Sequence, residues 1–148
     1  LEKILSLLRR VYSVLVIDMS SNLNDVNLAF LDTSDTIVEI VTYDSTTIHN
    51  TVAMADTFRA IGYPASKVQY LVNRADSPGG IDPGDLERAL GRIPEHRVMS
   101  DGILVVQSNN EGVPFVLANP GATVSQDILR TAEALLGSAR VATGAARG

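Results

Sequence analysis

Three polar side chains stand where apolar segments of this sequence end: Asp18, Thr42 and Asn73. Each segment is rich in Val, Ile and Leu, as is typical of a strand buried on both faces of a parallel sheet. In open α/β sheets, ligands bind outside the carboxyl ends of the strands. The chain has no Cys and only 2 His, so the chemistry available there is that of oxygen and amide groups. We therefore expect all three residues at the C-terminal edge of one parallel sheet.

The segment that ends at Asp18 carries the most specific pattern. Residues 14–18 read VLVID, and we predict a buried strand over residues 13–18. An apolar run closed by Asp is also how the Walker B segment of a nucleoside triphosphatase looks, in which the Asp serves a magnesium ion. Parallel strands also end in Asp because the carboxylate caps the next helix, and this capping role is the alternative interpretation.

The composition argues against several function classes. The chain has 148 residues, of which 45% are hydrophobic and 20% charged, as is ordinary for one globular domain. Its formal net charge of −5 and its lack of a Lys/Arg cluster argue against a broad nucleic-acid-binding face, so we expect no direct nucleic-acid contact. No apolar run approaches the roughly 20 residues that span a bilayer. We therefore expect no transmembrane segment and a cytoplasmic location.

Helical and strand patterns alternate along the chain. Apolar spacings and capping residues predict helices near residues 1–10, 24–31, 47–61, 82–91, 102–110 and 124–136. Apolar, β-branched runs predict strands over residues 36–42 and 67–73 and a weaker one around 96–99, while 113–118 is a short strand or extended chain. This alternation predicts an α/β fold with a mainly parallel sheet and flanking helices.

The domain organisation follows from the same patterns. We predict one domain over residues 1–137 and a disordered tail over residues 138–148, where small and polar residues predominate. No internal repeat interrupts the domain. The sequence begins at Leu1 without a Met, which leads us to expect that these residues belong to a longer polypeptide.

Two other α/β folds compete with this interpretation. A phosphoacceptor receiver domain places an Asp, a Thr or Ser, and a Lys at three strand ends around magnesium. Here the third predicted strand is followed by Arg74 rather than by Lys, and no acidic pair precedes Asp18. A dinucleotide-binding Rossmann domain needs a glycine fingerprint between its first strand and helix, and Gly79-Gly80 lacks that spacing. Both alternatives are therefore less favoured.

The order of short motifs resembles one family. Between residues 14 and 136 the chain resembles the C-terminal half of the deviant-Walker P-loop ATPases of the MinD/ParA type, and most closely the CpaE/TadZ branch associated with assembly of bacterial pili. The matching motifs, in the family's order, are VLVID at 14–18, LNDV at 23–26, LA at 28–29, LD at 31–32, GYP at 62–64, LVNR at 71–74 and NEGVP at 110–114.

The resemblance implies a P-loop NTPase-like three-layer sandwich that lacks its N-terminal P-loop portion, with ATP and Mg²⁺ as cofactors. Asp18 matches the Walker B acid, which holds a water on magnesium beside the phosphates. Asn73, in a pair with Arg74, matches the residue whose amide reads the adenine edge, since an amide offers both a donor and an acceptor. The loop after Asn73 and residues 99–101, including Asp101, would wall the base. The alternative role for Asn73 is to satisfy loop backbone.

The departures from the family concern loops. Relatives carry prolines after the Walker B acid, where this chain has Ser20 and Ser21, and they have Pro where Asp44 and Met99 stand. The chain also contains no glycine-rich loop with Lys followed by Ser or Thr, which would supply the backbone amides and the lysine that bind the phosphates. As written, these residues are not expected to be a competent ATPase.

Two functions from different classes follow. In the first, these residues belong to a CpaE-like, ATP-hydrolysing, homodimeric protein that positions pilus or secretion assembly machinery. In the second, the protein is a non-hydrolytic positioning scaffold with a degenerate nucleotide site. An intact phosphate-binding loop elsewhere in a longer polypeptide would support the first, and its loss the second.

Overall fold

A computed structural model describes residues 2–77 and 81–145 of the chain, with side chains described for residues 3–77 and 81–137. The chain divides into two compact units, Leu1–Ile37 and Val38–Gly148, and each unit has its own internal packing.

The first unit contains two helices. α1 (Glu2–Val11) repeats apolar residues every three or four positions and ends in Arg9 and Arg10, cations that suit a helix C-terminus. α2 (Asp25–Thr33) begins after Asn24, whose side-chain oxygen accepts a hydrogen bond of 2.9 Å from a first-turn backbone N–H. Both helices were predicted from the sequence, and both are confirmed.

The predicted strand over residues 13–18 is wrong. The structure assigns this segment no strand, and no backbone hydrogen bond joins it to any other described residue. Its side chains still alternate, since Val14 and Val16 are exposed while Leu15 and Ile17 are half-buried. A strand requires a neighbour that exchanges backbone hydrogen bonds with it. The hydrophobic pattern is therefore that of a strand, but the part of the chain that the structure describes supplies no partner.

The second unit is built on one parallel sheet of three strands in the order β1-β2-β3. The strands are β1 (Ile37–Val41), which begins at the last residue of the first unit, β2 (Val68–Asn73) and β3 (His96–Val98). Leu71 lies opposite His96, and Asn73 lies opposite Val98. The helices of this unit are α3 (Ser45–Ala60), α4 (Pro83–Leu90), α5 (Gly102–Glu111), α6 (Phe115–Ala118) and α7 (Thr123–Ala145).

Helices flank the sheet of the second unit. On one face, Leu71, Val98 and Val124 form a buried cluster against which side chains of β1, α5, α6 and α7 pack. Side chains alternate along a strand, so Val68, Tyr70 and Val72 point to the other face. There Val68 lines a groove together with residues of α3 and α4. The predicted α/β fold, with a parallel sheet between helices, is confirmed.

α4 shows how closely local signals set the boundaries of an element. Asp82 caps its N-terminus by accepting a hydrogen bond of 2.7 Å from Gly84 N, and Pro83 occupies the first turn. The helix ends before Gly91, whose φ of +68° lies in the left-handed region that favours glycine. Leu86 between these ends is completely buried.

Two predicted boundaries differ from the structure. Residues 113–118 contain the short helix α6 rather than a strand, because Pro114 precedes it and helical hydrogen bonds run back to Pro114 O. The helical backbone of α7 extends beyond the predicted boundary at Gly137, and the disorder of the tail stays a prediction. Gly79-Gly80, whose spacing does not match a dinucleotide fingerprint, lies outside the described residues.

Among the described residues, none of the helices combines the length and the hydropathy that spanning a membrane requires.

Candidate functional site

The end of β1 carries a hydrogen-bonded cluster. Thr42 follows the last residue of the strand, and its hydroxyl donates to Asp44 Oδ2. Asp44 caps α3, since Oδ1 accepts from Thr47 N at 2.8 Å and Oδ2 accepts from the Thr47 hydroxyl at 2.7 Å. The Thr42 hydroxyl, followed by the Thr47 donors, lowers the pKa of Asp44 to about 2. Where relatives are expected to carry a proline, this chain therefore has an ionised helix cap.

Asn73 is the last residue of β2, and its amide is half-buried. Its side-chain oxygen accepts a hydrogen bond of 3.0 Å from Arg74 N. Arg74 has a φ of +52°, the only positive φ of a non-glycine residue in the described part of the chain, and its side chain is exposed. The Asn73 amide nitrogen donates no hydrogen bond to a described residue. The pair therefore presents an unused amide donor where the chain turns sharply out of the sheet.

Hydrogen bonds join the loop after β2 to the end of β3 and the loop that follows it. Ala75 N donates to Val98 O at 3.0 Å, which continues the contact between the strands past the end of β2. Asp76 Oδ1 accepts from both the backbone N and the hydroxyl of Ser100, each at 2.7 Å. These bonds to Ser100 lower the pKa of the Asp76 carboxyl. The loop beyond Asn73 therefore holds the segment that we expected to wall a bound base.

Two further carboxylates fix that segment, one at each of its ends. Asp101 caps α5 by accepting a hydrogen bond of 3.0 Å from Leu104 N. Asp127, a buried residue of α7, accepts from Met99 N at 2.9 Å and also pairs with Arg130. Residues 99–101 are thereby held by the loop after β2 and by side-chain contacts at α5 and α7. The carboxylate of Asp101 serves a structural role, since it occupies a helix cap.

Asp18 lies in the first unit. Its carboxylate is exposed and makes no hydrogen bond or ion pair with another described residue. Among the described residues, no group of three or more His, Asp or Glu side chains could hold a metal ion. Of the predicted site residues, the structure thus brings Thr42, Asn73 and Arg74 to the C-terminal edge of the sheet and joins Asp101 to the same edge through residues 99–101.

The residues present fit the expected cofactors only in part. The Asn73 amide can donate to a base and can still accept on its oxygen, as recognition of an adenine edge requires. A single exposed carboxylate such as Asp18 can accept a hydrogen bond from a water on Mg²⁺, because magnesium keeps several waters in most protein sites. These 148 residues contain no lysine-bearing glycine loop for the phosphates.

Asp76 and Asp127 were not singled out from the sequence. Asp76 belongs to a polar loop, and Asp127 has the place of an ordinary charged residue in an amphipathic helix. Only the parallel pairing of β2 with β3 and the packing of α7 on β3 bring them to residues 99–101. The sequence offered one signal for Asp127: this charged residue falls on the apolar side of the last helix, where charged side chains are uncommon.

Comparisons with known proteins bear on the fold. No protein-family model matches the chain, and none of the curated proteins matches it. Among solved structures, the chain is similar to the crystal structure of a ParA family ATPase from Chlorobium tepidum TLS, with a TM-score of 0.80 and 19% sequence identity. The match covers 86% of this chain and 53% of that one, so the chain spans about half the length of the ATPase. The chain therefore has the fold of the corresponding part of a ParA family ATPase.

Proposed function

We propose that these residues form the magnesium- and base-binding half of an ATP-binding protein of the ParA type, of the CpaE/TadZ branch. In the complete polypeptide, ATP would bind with Mg²⁺ and be hydrolysed, and the protein would act as a homodimer in the cytoplasm. Its cellular task would be to position pilus or secretion assembly machinery. The fold likeness to a ParA family ATPase supports the general class.

One observation carries the proposal: Asn73 ends a central parallel strand with an unused amide donor. The carboxyl edge of a parallel sheet is where α/β proteins bind ligands. An amide offers a donor and an acceptor, which match the ring nitrogen and the amino group of adenine. The segment around Met99 and Asp101, fixed by Asp76 and Asp127, offers a rigid wall beside it.

The roles of the other residues follow from their chemistry. Asp18 would hold one water of a magnesium ion that neutralises the phosphates when the nucleotide is bound. Arg74, exposed beside Asn73, would lie against the base or ribose. The phosphates themselves would be bound by backbone amides and a lysine outside these residues, because only such a loop provides donors at the required density.

Nuclear magnetic resonance titration of the 148-residue chain tests the base contact. We expect ATP with Mg²⁺ to shift the amide resonances of Asn73, Arg74 and Asp101 more than GTP does. In the complete polypeptide, Asn73→Ala should weaken ATP binding by about 1–2 kcal/mol and narrow the preference over GTP, because the donor and the acceptor that pair with adenine are both lost.

The matched control is Asn50→Ala, which removes an exposed amide from α3. It should leave the preference for ATP unchanged. An Asn73→Ala variant that melts normally and keeps its full preference for ATP would show that another residue reads the base. Asp18→Ala should leave the base preference intact and reduce only the effect of Mg²⁺ on binding.

The second candidate is a positioning scaffold that binds no nucleotide. It is favoured by the use of Asp101 and Asp44 as helix caps and by the lack of a phosphate-binding loop in these residues. In that case the titration would show no saturable shift with either nucleotide, for the unmodified chain and for both asparagine variants.

A further inference from the structure

A groove lies between α3 and α4, at the edge of the sheet opposite to Asn73. It is lined by Val68, the first residue of β2, and by Leu90, the last residue of α4. Asn73 ends the same strand, which places the groove roughly 16 Å from the proposed base site. Its volume is about 450 Å³, within the range of pockets that hold ligands in proteins. The groove is therefore a separate candidate site that the proposed function does not use.

The floor of the groove is apolar and aromatic. Phe58 and Val68 are buried, and the ring centres of Phe58 and Tyr63 lie 5.7 Å apart. Small residues keep the space above them open, since Ala55 and Gly91 also line the groove. The apolar body of a side chain from another molecule can therefore be buried here against rings and aliphatic groups.

The charged side chains at the α3–α4 groove are cationic. Arg59 of α3 and Arg92 line it, and no Asp or Glu is among the described residues that do so. The Lys67 ammonium lies 4.5 Å from the centre of the Tyr63 ring, which belongs to the lining. The groove is thus locally positive in a chain whose formal net charge is −5.

The two arginines differ in how firmly they are held. Arg92 donates to two backbone carbonyls, at 3.0 and 3.3 Å, and pairs with Glu95, so it forms a fixed wall of the groove. Arg59 makes an exposed ion pair with Asp56, one turn earlier on α3. Exposed pairs of this kind contribute little to stability, so the Arg59 guanidinium can exchange Asp56 for a carboxylate in the groove.

We propose that the α3–α4 groove is a docking site for an acidic segment of a partner protein, in which a carboxylate side chain stands beside a leucine or a phenylalanine. The apolar side chain of the partner packs against Phe58, Tyr63 and Leu90, and the carboxylate pairs with Arg59. Because the groove lies at the opposite edge of the sheet from Asn73, this inference holds whether or not the chain binds a nucleotide.

Nuclear magnetic resonance titration without nucleotide tests the docking site. The probe is a short synthetic peptide in which aspartate and leucine alternate. We expect it to shift the amide resonances of Arg59, Ser66 and Gly91, which line the groove, with a dissociation constant of roughly 0.1 mM or lower.

Two control peptides carry lysine in place of aspartate or serine in place of leucine, and neither should bind at the groove. The net charge of −5 attracts the lysine peptide at long range and repels the acidic one. A preference for the acidic peptide therefore reports the groove itself.

Arg59→Glu should weaken binding of the acidic peptide about tenfold or more, because it replaces the pairing cation by a like charge. The exposed position of Arg59 lets the variant fold, which its melting temperature checks. Arg88→Glu is the matched control and should leave the affinity unchanged. Arg88 makes the same kind of ion pair, with Asp85 on α4, but is not among the residues that line the groove.

The absence of a saturable shift with the acidic peptide would overturn the proposal, as would shifts that cluster at Asn73 or equal weakening in both variants. Equal binding of the serine peptide would contradict the apolar contact. Inorganic phosphate that binds the same residues as tightly as the peptide would make the groove a site for small anions instead. Shifts at these residues that follow chain concentration without peptide would assign the groove to contact between copies of the chain.

Discussion

Single residues at the C-terminal edge of the sheet show how one side-chain type can take different roles. Asp44, Asp76, Asp101 and Asp127 all accept hydrogen bonds from backbone N–H groups. Each carboxylate therefore fixes a turn or a segment. Asn73 differs because its amide nitrogen is unused among the described residues.

The lowered pKa of Asp44 predicts how the folding stability of the chain changes at acid pH. Its folded-state pKa of about 2 lies below the ordinary value of 3.8, so the folded state binds fewer protons than the unfolded chain. The stabilisation that the ionised Asp44 provides is fully present above its pKa in the unfolded chain, and it is lost as the pH falls toward its folded-state pKa of about 2. We expect Asp44→Asn to melt at a lower temperature than the unmodified chain at pH 7, and the difference to shrink between pH 4 and pH 2.

Thermal melts monitored by circular dichroism at several pH values check this. Asp56→Asn is the control, since Asp56 makes an exposed ion pair with Arg59 on the same helix and such pairs contribute little. A difference for Asp44→Asn that stays constant down to pH 2 would mean that its hydrogen bonds do not depend on ionisation.

At the scale of elements, a side chain of α7 secures the end of β3. Asp127 is buried, and its Oδ2 accepts from Met99 N, the first backbone N–H beyond the strand. Asp127→Ala would remove the charged acceptor of that N–H, which we expect to lower the free energy of unfolding by about 1.5–3 kcal/mol.

Urea denaturation measures the change in stability. Glu133→Ala, at an exposed position of the same helix, should change the stability by no more than about 0.5 kcal/mol. Equal effects of the two variants would assign the loss to α7 as a helix rather than to the contact with Met99.

In the first unit, the predicted helices form and the predicted strand does not. α1 and α2 form where their apolar spacing and caps predict them, but residues 13–18 do not become a strand. Helical hydrogen bonds lie within one segment, so a helix carries its own partners. A strand depends on a neighbour, and this explains why the apolar run at residues 14–17 did not form the predicted strand.

At the scale of the whole molecule, the missing phosphate-binding loop limits affinity. We expect the 148-residue chain to bind ATP with Mg²⁺ no more tightly than about millimolar, because each lost charge-assisted hydrogen bond to phosphate removes about 1.5–3 kcal/mol. Isothermal titration calorimetry measures this. Micromolar affinity would mean that these residues contain a phosphate site that the sequence did not reveal. The ATP affinity of the Asn73→Ala variant would then show how much of the binding comes from the base contact and how much from the phosphates.

The sequence by itself determined most of the local structure. It contained the caps of α2 and α4, the glycine that ends α4, the strands β1 and β2 and the alternation that makes the fold α/β. These features depend on residues near one another in the chain, whose preferences for dihedral angles and hydrogen bonds act locally. The position of Asn73 at a strand end followed from the same patterns.

Only the tertiary structure decided which residues meet. The hydrogen bonds from Asp76 to Ser100 and from Asp127 to Met99 join positions 24 and 28 residues apart, and no local pattern specifies them. The same holds for residues 13–18, whose hydrophobic pattern is that of a strand but which form no backbone hydrogen bond with a described residue. Local preference selects the shape of a segment, but pairing and burial require a partner that the segment does not contain.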